Sequence, residues 1–453
     1  MMTALRRRGK TSITLLLTVG IVMALLCPLS ASALADIPTL DAPSILLLHL
    51  DSDTVIYSKN AHLQRAPSSL VKIMTAMVAL EHTPNLEVDL TVSETAVANL
   101  TGLATAGLRA GEIMSAENLL YCLLLPSAGD AANALAESVA GDVDSFVALM
   151  NQKAQELGMT NTNFTNPHGR DDERQLTTAS DMAILARHAF RNQTIVTICN
   201  TQYKRIPKTN LSSGDRYYFS NNALVISSAE RRKTEDYYYS PAVGMMTGTS
   251  NAAGYNMMAI ASKGDFRLLC IVLGASRDAD SGEKRHYTDA IALFKWGYDN
   301  LSYTTLLKGL EPVHEVDVAL SNAKDAMTLV AQEEYRAVIP SDLKPAELSR
   351  SFVLEEQLEA PVKKGDVLGR VIFSHDGIEY GSCLLVAQSD ADRSAILFAL
   401  DRISLFMQGR WFKITAFTVL VLAALYALLA YQVNSRRGRS HRKRRRGKPK
   451  RFR

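Results

Sequence analysis

Hydrophobic and polar positions change between a strand period and a helix period four times along the chain. Short apolar runs separated by a polar turn predict two strands, over residues 44–51 and 54–58. The next part follows a helical pattern of apolar positions. It predicts helices over residues 69–81, 116–125, 129–140, 143–157 and 178–190, the last one capped by Thr178 or Ser180.

Two further apolar runs, residues 256–262 and 266–273, flank the polar turn Lys263-Gly264-Asp265 and predict a hairpin. A last helix is expected over residues 288–298. Strands at both ends of a helical middle indicate one sheet flanked by a helical lobe, which is an α+β arrangement. We assign this domain to residues 36–304.

Beyond residue 305 the pattern becomes one of short strands separated by turns such as Lys363-Lys364-Gly365. The candidate strands are residues 314–319, 326–331, 337–339, 351–354, 366–374 and 379–387. This pattern predicts a small all-β domain over residues 305–390. A linker is expected over residues 391–410.

The N-terminus has the pattern of a secretory signal peptide, residues 1–35. Cations between Arg6 and Lys10 precede an uncharged apolar run, and Ala33-Leu34-Ala35 is a small-residue cleavage signal. The alternative interpretation is a retained membrane anchor.

A second apolar run lies near the C-terminus. Residues 414–433 carry no charge, and at about 1.5 Å per residue such a helix spans about 30 Å, one hydrocarbon core. With Trp411 and Phe412 at its outer end, a transmembrane helix is predicted over residues 411–433. The basic segment 434–453 then indicates a cytoplasmic tail. A nucleic-acid-binding tail is the weaker alternative, because it ignores the adjacent span.

Composition and charge narrow the class of protein. The 453 residues are 47% hydrophobic and 21% charged, which excludes collagen-like, disordered and disulfide-dense chains. The two ends hold 16 of the 50 cations and no acid, so the body has 34 cations against 46 acids and a net charge of −12. Such a body is not a general nucleic-acid binder. Cys122, Cys199, Cys270 and Cys383 show no framework spacing, and we expect buried free thiols.

The first chemical motif is Ser69-Leu70-Val71-Lys72 at the start of a predicted helix. Residues three apart on a helix share a face. A serine hydroxyl needs a base to become a nucleophile, and a lysine whose pKa is lowered can be that base. The spacing of Ser69 and Lys72 is by itself weak evidence for a catalytic site.

Two further motifs follow in order, Pro126-Ser127-Ala128-Gly129 and Met246-Thr247-Gly248-Thr249. Together the three resemble those of the D-alanyl-D-alanine carboxypeptidases, low-molecular-mass penicillin-binding proteins of serine peptidase type S11. Their context also resembles the family, in residues 66–76, 158–172, 177–183 and 358–369. The resemblance covers about residues 40–390 and implies a penicillin-binding, β-lactamase-like fold.

The resemblance implies roles for individual residues. Ser69 would attack the penultimate D-alanine carbonyl, Lys72 would accept its proton, and Ser127 would relay a proton to the leaving D-alanine. Backbone N–H groups of Ser69 and Thr249 would form the oxyanion hole. The implied substrate-binding residues are Gly129, Met246, Thr247, Gly248, Thr249 and Arg285. No metal or cofactor is implied; the expected ligands are peptidoglycan stem peptides and β-lactams.

Two positions depart from the family pattern. Gly129 stands where the second motif has asparagine, and Met246 where the third motif has lysine. The main hypothesis is a working carboxypeptidase in which Arg285, Lys284 or Arg277 replaces the missing charge. The alternative is a catalytically impaired homologue that binds or organises peptidoglycan. A β-lactamase or esterase is a third, less favoured interpretation.

Overall fold

The computed structural model describes residues 36–226, 237–322, 326–354 and 358–445. The predicted signal peptide and residues 446–453 of the predicted basic tail lie outside the described residues. The described helices are α1 (Val71–His82), α2 (Ala116–Leu124), α3 (Gly129–Ala140), α4 (Val143–Glu156), α5 (Ala179–Phe190), α6 (Gln193–Cys199), α7 (Arg285–Asn300), α8 (Ala395–Gln408) and α9 (Arg410–Arg445).

The described strands fall into two groups. The first group is β1 (Ser44–His49), β2 (Val55–Lys59), β3 (Asp89–Thr91), β4 (Ile113–Ser115), β5 (Tyr203–Ile206), β6 (Arg216–Phe219), β7 (Ala242–Ser250), β8 (Gly254–Lys263) and β9 (Phe266–Ala275). The second is β10 (Leu301–Leu307), β11 (Pro312–Ala319), β12 (Ala326–Ala331), β13 (Tyr335–Pro340), β14 (Ser349–Leu354), β15 (Leu358–Glu359), β16 (Val367–His375) and β17 (Ile378–Ala387).

The described chain divides into two compact units. The first contains the residues up to Thr304 together with Arg336–Glu347. The second contains Thr305–Tyr335 and the residues from Leu348 onward.

An antiparallel sheet in the order β2-β1-β9-β8-β7 forms the centre of the first unit. Side chains along β9 alternate between its two faces. Leu269 and Ile271 pack in the core shared with the helical lobe, whereas Leu268 and Cys270 pack in the core shared with α7. The predicted sheet with a helical lobe is therefore confirmed.

Helix α1 lies in the middle of the helical lobe. Every residue from Val71 to Ala79 is buried, so even the polar side chains of Lys72 and Thr75 are enclosed by apolar neighbours. The N-cap predicted for α5 is also present, since the Thr178 hydroxyl accepts a hydrogen bond from the Asp181 N–H.

The second unit contains a six-stranded sheet in the order β14-β16-β17-β12-β11-β15, as a small β domain requires. The segment expected as a linker, 391–410, contains helix α8. Helix α9 includes the predicted span: its part Arg410–Ser435 is long enough to cross a membrane and contains an 18-residue window with a mean hydropathy of 2.2. Cys122, Cys199, Cys270 and Cys383 are free and buried, which confirms the prediction, and burial raises the pKa of Cys199 to about 12.

Candidate active site

The structure brings Ser69 and Lys72 together at the junction of a short 3-10 turn, Ser68–Leu70, with helix α1. The Lys72 Nζ donates a hydrogen bond to the Ser69 Oγ at 3.1 Å. It also donates to the carbonyl oxygen of His168. The two side chains therefore converge as their spacing predicts, and the lysine amine is held directly on the serine hydroxyl.

The protonation of Lys72 is set by its burial. Only 1% of this residue is exposed, and desolvation lowers the pKa of its ammonium group to about 7. The carboxylate of Asp130 acts in the opposite direction. That carboxylate is itself fixed, because it accepts backbone N–H groups from Ala106, Leu108 and Ala131. Near neutral pH a large fraction of Lys72 is therefore neutral and able to accept a proton.

Ser127 lies in the connection between α2 and α3. Its backbone has a φ of 61°, a left-handed conformation uncommon for residues other than glycine. The side chain is buried, and its Oγ has no hydrogen-bond partner in the structure. A buried hydroxyl without a partner is available to a ligand.

Strand β7 supplies the opposite wall. It is the edge strand of the sheet, and the 3-10 turn that carries Ser69 packs against it. A Cβ at Gly248 would lie 2.7 Å from the Ser69 backbone nitrogen, so only glycine permits this approach. Thr247 and Thr249 flank this glycine along the strand.

The loop 166–170 closes the site behind Ser69. The Asn166 side-chain oxygen accepts the backbone N–H groups of Gly169 and Arg170. Gly169 has a φ of 84°, and a Cβ there would lie 2.3 Å from the carbonyl oxygen of Ser68. Burial and the Lys72 charge lower the pKa of His168 to about 3, so its imidazole is neutral. We interpret His168 as a structural residue, because a neutral buried imidazole whose backbone carbonyl accepts from Lys72 is not needed as a second base.

These elements enclose a cavity of about 590 Å³. Among the residues that line it are Ser69, Lys72, Ser127, Thr247, Gly248 and Thr249. Three motifs far apart in the chain thus meet in one cavity, which offers a nucleophile, a base and hydroxyl groups to a single ligand.

Three predicted site residues do not line this cavity. A Cβ at Gly129 would lie 3.0 Å from the Leu103 side chain, so leucine occupies the space beside this position. Met246 is buried in the apolar core of the helical lobe. Arg285, expected beside the substrate, instead forms ion pairs with Asp278 and Glu283.

Lys284, one of the three cations considered as a replacement for the missing lysine, lines the cavity. His286 lines it as well and was not indicated by the sequence. Leu103 and Arg170 also line the cavity. Arg285 follows from the resemblance alone, and no local sequence pattern distinguishes it from its two neighbours at the start of α7.

Comparison with known proteins agrees with this architecture. Residues 31–277 match the family described as D-alanyl-D-alanine carboxypeptidase (peptidase S11). Residues 302–393 match the C-terminal domain of penicillin-binding protein 5. The first match alone covers more than half of the chain.

The similarity to individual relatives covers most of the chain. D-alanyl-D-alanine carboxypeptidase DacC of Escherichia coli is 31% identical over 359 residues, 77% of this chain and 84% of its own. DacF of Bacillus subtilis is 26% identical over 82% of this chain and 90% of its own. The crystal structure of penicillin-binding protein 5 from Haemophilus influenzae is similar with a TM-score of 0.64 and 28% identity, covering 79% of this chain and 99% of that one. This chain therefore belongs to the D-alanyl-D-alanine carboxypeptidase family.

Proposed function

We propose that this protein is a serine carboxypeptidase that removes the terminal D-alanine of peptidoglycan stem peptides through an acyl-enzyme on Ser69. The observation that carries the proposal is the hydrogen bond from a buried lysine amine, Lys72, to the Ser69 hydroxyl. The family and its named relatives supply the substrate class.

Acylation begins with attack of the Ser69 Oγ on the carbonyl carbon of the penultimate D-alanine. Lys72 accepts the hydroxyl proton as the new C–O bond forms. The carbonyl oxygen becomes an oxyanion, which the backbone N–H groups of Ser69 and Thr249 stabilise. The close approach of Gly248 to the Ser69 nitrogen supports this pairing of donors.

Collapse of the intermediate breaks the peptide bond. The leaving D-alanine amine takes a proton relayed through Ser127, whose Oγ has no other partner and lines the same cavity. Water then hydrolyses the ester on Ser69 and regenerates the hydroxyl. β-Lactams acylate Ser69 in the same way as the first step, because their strained amide offers a carbonyl carbon to the Ser69 hydroxyl.

The catalytic interpretation is favoured over an impaired binding protein. An impaired homologue would be expected to lose the activation of its serine, yet burial lowers the pKa of Lys72 to about 7 without a neighbouring lysine. A β-lactamase or esterase is less favoured, because the named relatives are carboxypeptidases with a matching C-terminal domain.

The proposed domain organisation follows the sequence. Residues 1–35 are a signal peptide, 36–304 the peptidase domain, 305–390 the β domain, 411–433 the membrane span and 434–453 the cytoplasmic tail. The apolar helix Arg410–Ser435 supports the membrane anchor.

The topology can be tested by adding protease to intact cells. The protease should digest residues 36–390 and spare the tail; protection of residues 36–390 would contradict this topology.

Release of D-alanine tests the activity directly. The full-length protein in detergent is incubated with a peptide ending in D-alanyl-D-alanine, and free D-alanine is measured against time. The wild-type protein should release it and the Ser69→Ala variant should not. Equal rates with both proteins, or none with either, would contradict the proposal.

A further inference from the structure

The hairpin of β5 and β6 carries three exposed aromatic rings. Tyr203 is 56% exposed, Tyr217 55% and Phe219 46%. In the register of the hairpin, Tyr203 lies opposite Phe219, and Arg205 lies opposite Tyr217. Because side chains alternate along a strand, these four residues share one face. The rings of Tyr203, Tyr217 and Phe219 therefore form one exposed surface, which we call the aromatic platform.

The opposite face of the hairpin attaches it to the rest of the first unit. Arg216 forms an ion pair with Glu112, whose side chain is only 1% exposed. The Tyr218 hydroxyl donates to a backbone carbonyl of the loop before β4. The Lys204 ammonium lies 4.0 Å from the centre of the Tyr121 ring. The hairpin is thus fixed through this face, and the platform rings belong to neither apolar core of the described residues.

The platform rings are close enough to act on one ligand. The ring centroids of Tyr203 and Phe219 are 5.8 Å apart, and their planes are tilted by 36°. Tyr217 lies two residues before Phe219 on the same strand, a separation of about 7 Å. On the same face, the Arg205 Nε donates to the Asp215 carboxylate at 2.6 Å. An apolar surface is therefore bordered by charged groups that can exchange hydrogen bonds with hydroxyl groups.

The chain leads directly from the platform to the catalytic cavity. Asn221, which lines the cavity, follows Phe219 by two residues, and two residues of chain span at most about 7 Å. The Asn221 N–H donates to the Leu125 carbonyl at 2.9 Å, and its side-chain amide donates to the Pro126 carbonyl at 2.8 Å. These bonds hold Asn221 beside the segment that carries Ser127. A ligand that leaves the cavity past Asn221 meets the platform.

The size and charge of the platform favour a small polar ligand over a second protein or a membrane. Three half-exposed rings of about 200 Å² each offer about 300 Å², the size of a functional patch on a monomer. A stable dimer buries about 800 Å² on each partner. The body of the chain has 34 cations against 46 acids, so an anionic lipid surface repels it. A sugar ring fits better, because its C–H face is apolar and its edge carries hydroxyl groups.

We propose that the aromatic platform binds the glycan strand that carries the stem peptide. This inference rests on the proposed function, because the glycan is part of the same peptidoglycan substrate. The stem peptide is cut at its C-terminal end and joined to the glycan at its other end. At up to about 3.5 Å per residue, a few residues of peptide bridge the distance from Ser69 to the platform. A glycan held there raises the effective concentration of its stem peptide at the cavity.

The binding test uses a glycan without peptide, a tetrasaccharide of alternating N-acetylglucosamine and N-acetylmuramic acid. It is titrated calorimetrically into the full-length protein in detergent. Replacing Tyr203 and Tyr217 together by leucine keeps apolar side chains but removes two rings, and should weaken binding by about tenfold or more. Replacing both by phenylalanine keeps the rings and should keep the wild-type affinity.

Val55→Ala is the matched control for loss of an exposed apolar side chain. Val55 is 57% exposed on β2, which lies at the other edge of the sheet from β7. Its affinity for the tetrasaccharide should equal that of the wild type. No binding by the wild-type protein, or equal affinities of the wild type and the double leucine variant, would overturn the inference. So would a wild-type dimer that becomes a monomer in the double leucine variant, because the platform would then be a self-association surface.

A kinetic measurement shows whether the platform serves the reaction. D-Alanine release is compared for a stem peptide on the tetrasaccharide and for the same peptide free in solution. The double leucine variant should lower kcat/KM for the glycan-borne peptide by about tenfold, mainly through KM, and leave the free peptide unchanged. An equal loss for both substrates would overturn the inference.

The two proposals can fail separately. Binding of the peptide-free tetrasaccharide needs no turnover, so binding that depends on the platform rings supports this inference even if no D-alanine is released. Release of D-alanine by a protein that does not bind the tetrasaccharide would overturn the platform and leave the acyl-enzyme on Ser69 in place.

Discussion

The Lys72 Nζ lies 3.1 Å from the Ser69 Oγ, although the strand position that carries a second lysine in the family pattern is occupied by Met246. The like-charge repulsion that such a lysine supplies is therefore absent. Burial lowers the pKa of Lys72 to about 7 even against the opposing charge of Asp130. The activation of the serine depends on the apolar surroundings of α1 rather than on a neighbouring cation.

The pH dependence of the acylation rate should follow the protonation of Lys72. Because the base must be deprotonated and the pKa of Lys72 is lowered to about 7, the rate should rise with pH below this value and level off above it. The second-order rate of acylation by a penicillin, measured from about pH 5 to pH 9, gives the profile. A flat profile over this range would show that Lys72 is not the titrating base.

Ser127→Ala should separate catalysis from stability. The Ser127 Oγ has no hydrogen-bond partner, so its removal should leave the melting temperature unchanged or raise it. Loss of the proton relay should reduce turnover by about 10²-fold or more. Ser138→Ala is the control, since the Ser138 Oγ donates to the Ala134 carbonyl within α3 and its loss should affect stability alone. Full activity of Ser127→Ala would remove this serine from the mechanism.

Gly248→Ala should disturb the wall against which Ser69 rests. Its Cβ would lie 2.7 Å from the Ser69 nitrogen, so strand β7 or the 3-10 turn must move. We expect acylation to fall about 10²-fold or more as an oxyanion donor is displaced, and stability to fall by about 1–3 kcal/mol. Gly214→Ala is the control, because a Cβ there meets no atom within 4 Å. A wild-type acylation rate in Gly248→Ala would contradict the close contact between Gly248 and the Ser69 backbone nitrogen.

Restoring the family asparagine at position 129 should destabilise the fold when made alone and be tolerated when a second residue is also changed. A Cβ at Gly129 would already lie 3.0 Å from the Leu103 Cδ1, so Gly129→Asn should destabilise the fold by about 1–3 kcal/mol. Combining it with Leu103→Ala should recover most of this loss, because the clash is removed. Urea unfolding of the two single variants and the double variant measures the coupling. Additive effects would show that Leu103 does not fill this space.

The spacing of apolar residues predicts most helices and strands of the first unit, because these elements are long and bury apolar side chains at regular intervals. The hairpin of β8 and β9 and helices α1 to α5 follow from apolar spacing alone. Helix α8 was instead expected to be a linker. Its apolar side chains, among them Ile396 and Leu400, are exposed in the structure, so it does not contribute a buried face to a core.

The spacing of Ser69 and Lys72 is a local property of the 3-10 turn and the first turn of α1 that follows it, and for that reason it could be recognised in the sequence. The choice among Arg277, Lys284 and Arg285 could not be made in this way. Which of these side chains meets the cavity depends on ion pairs across the Asp278–Glu283 turn and on the stacking of His286 against Tyr255. Such contacts join residues whose pairing no local pattern encodes.

The most direct test of the central claim is to locate the covalent adduct of a fluorescent penicillin. The full-length protein and Ser69→Ala are incubated with the reagent, digested and analysed by mass spectrometry. We predict one adduct, on the peptide containing Ser69, and none in the variant. An unlabelled wild-type protein at saturating reagent, or an adduct that persists in Ser69→Ala, would contradict this prediction.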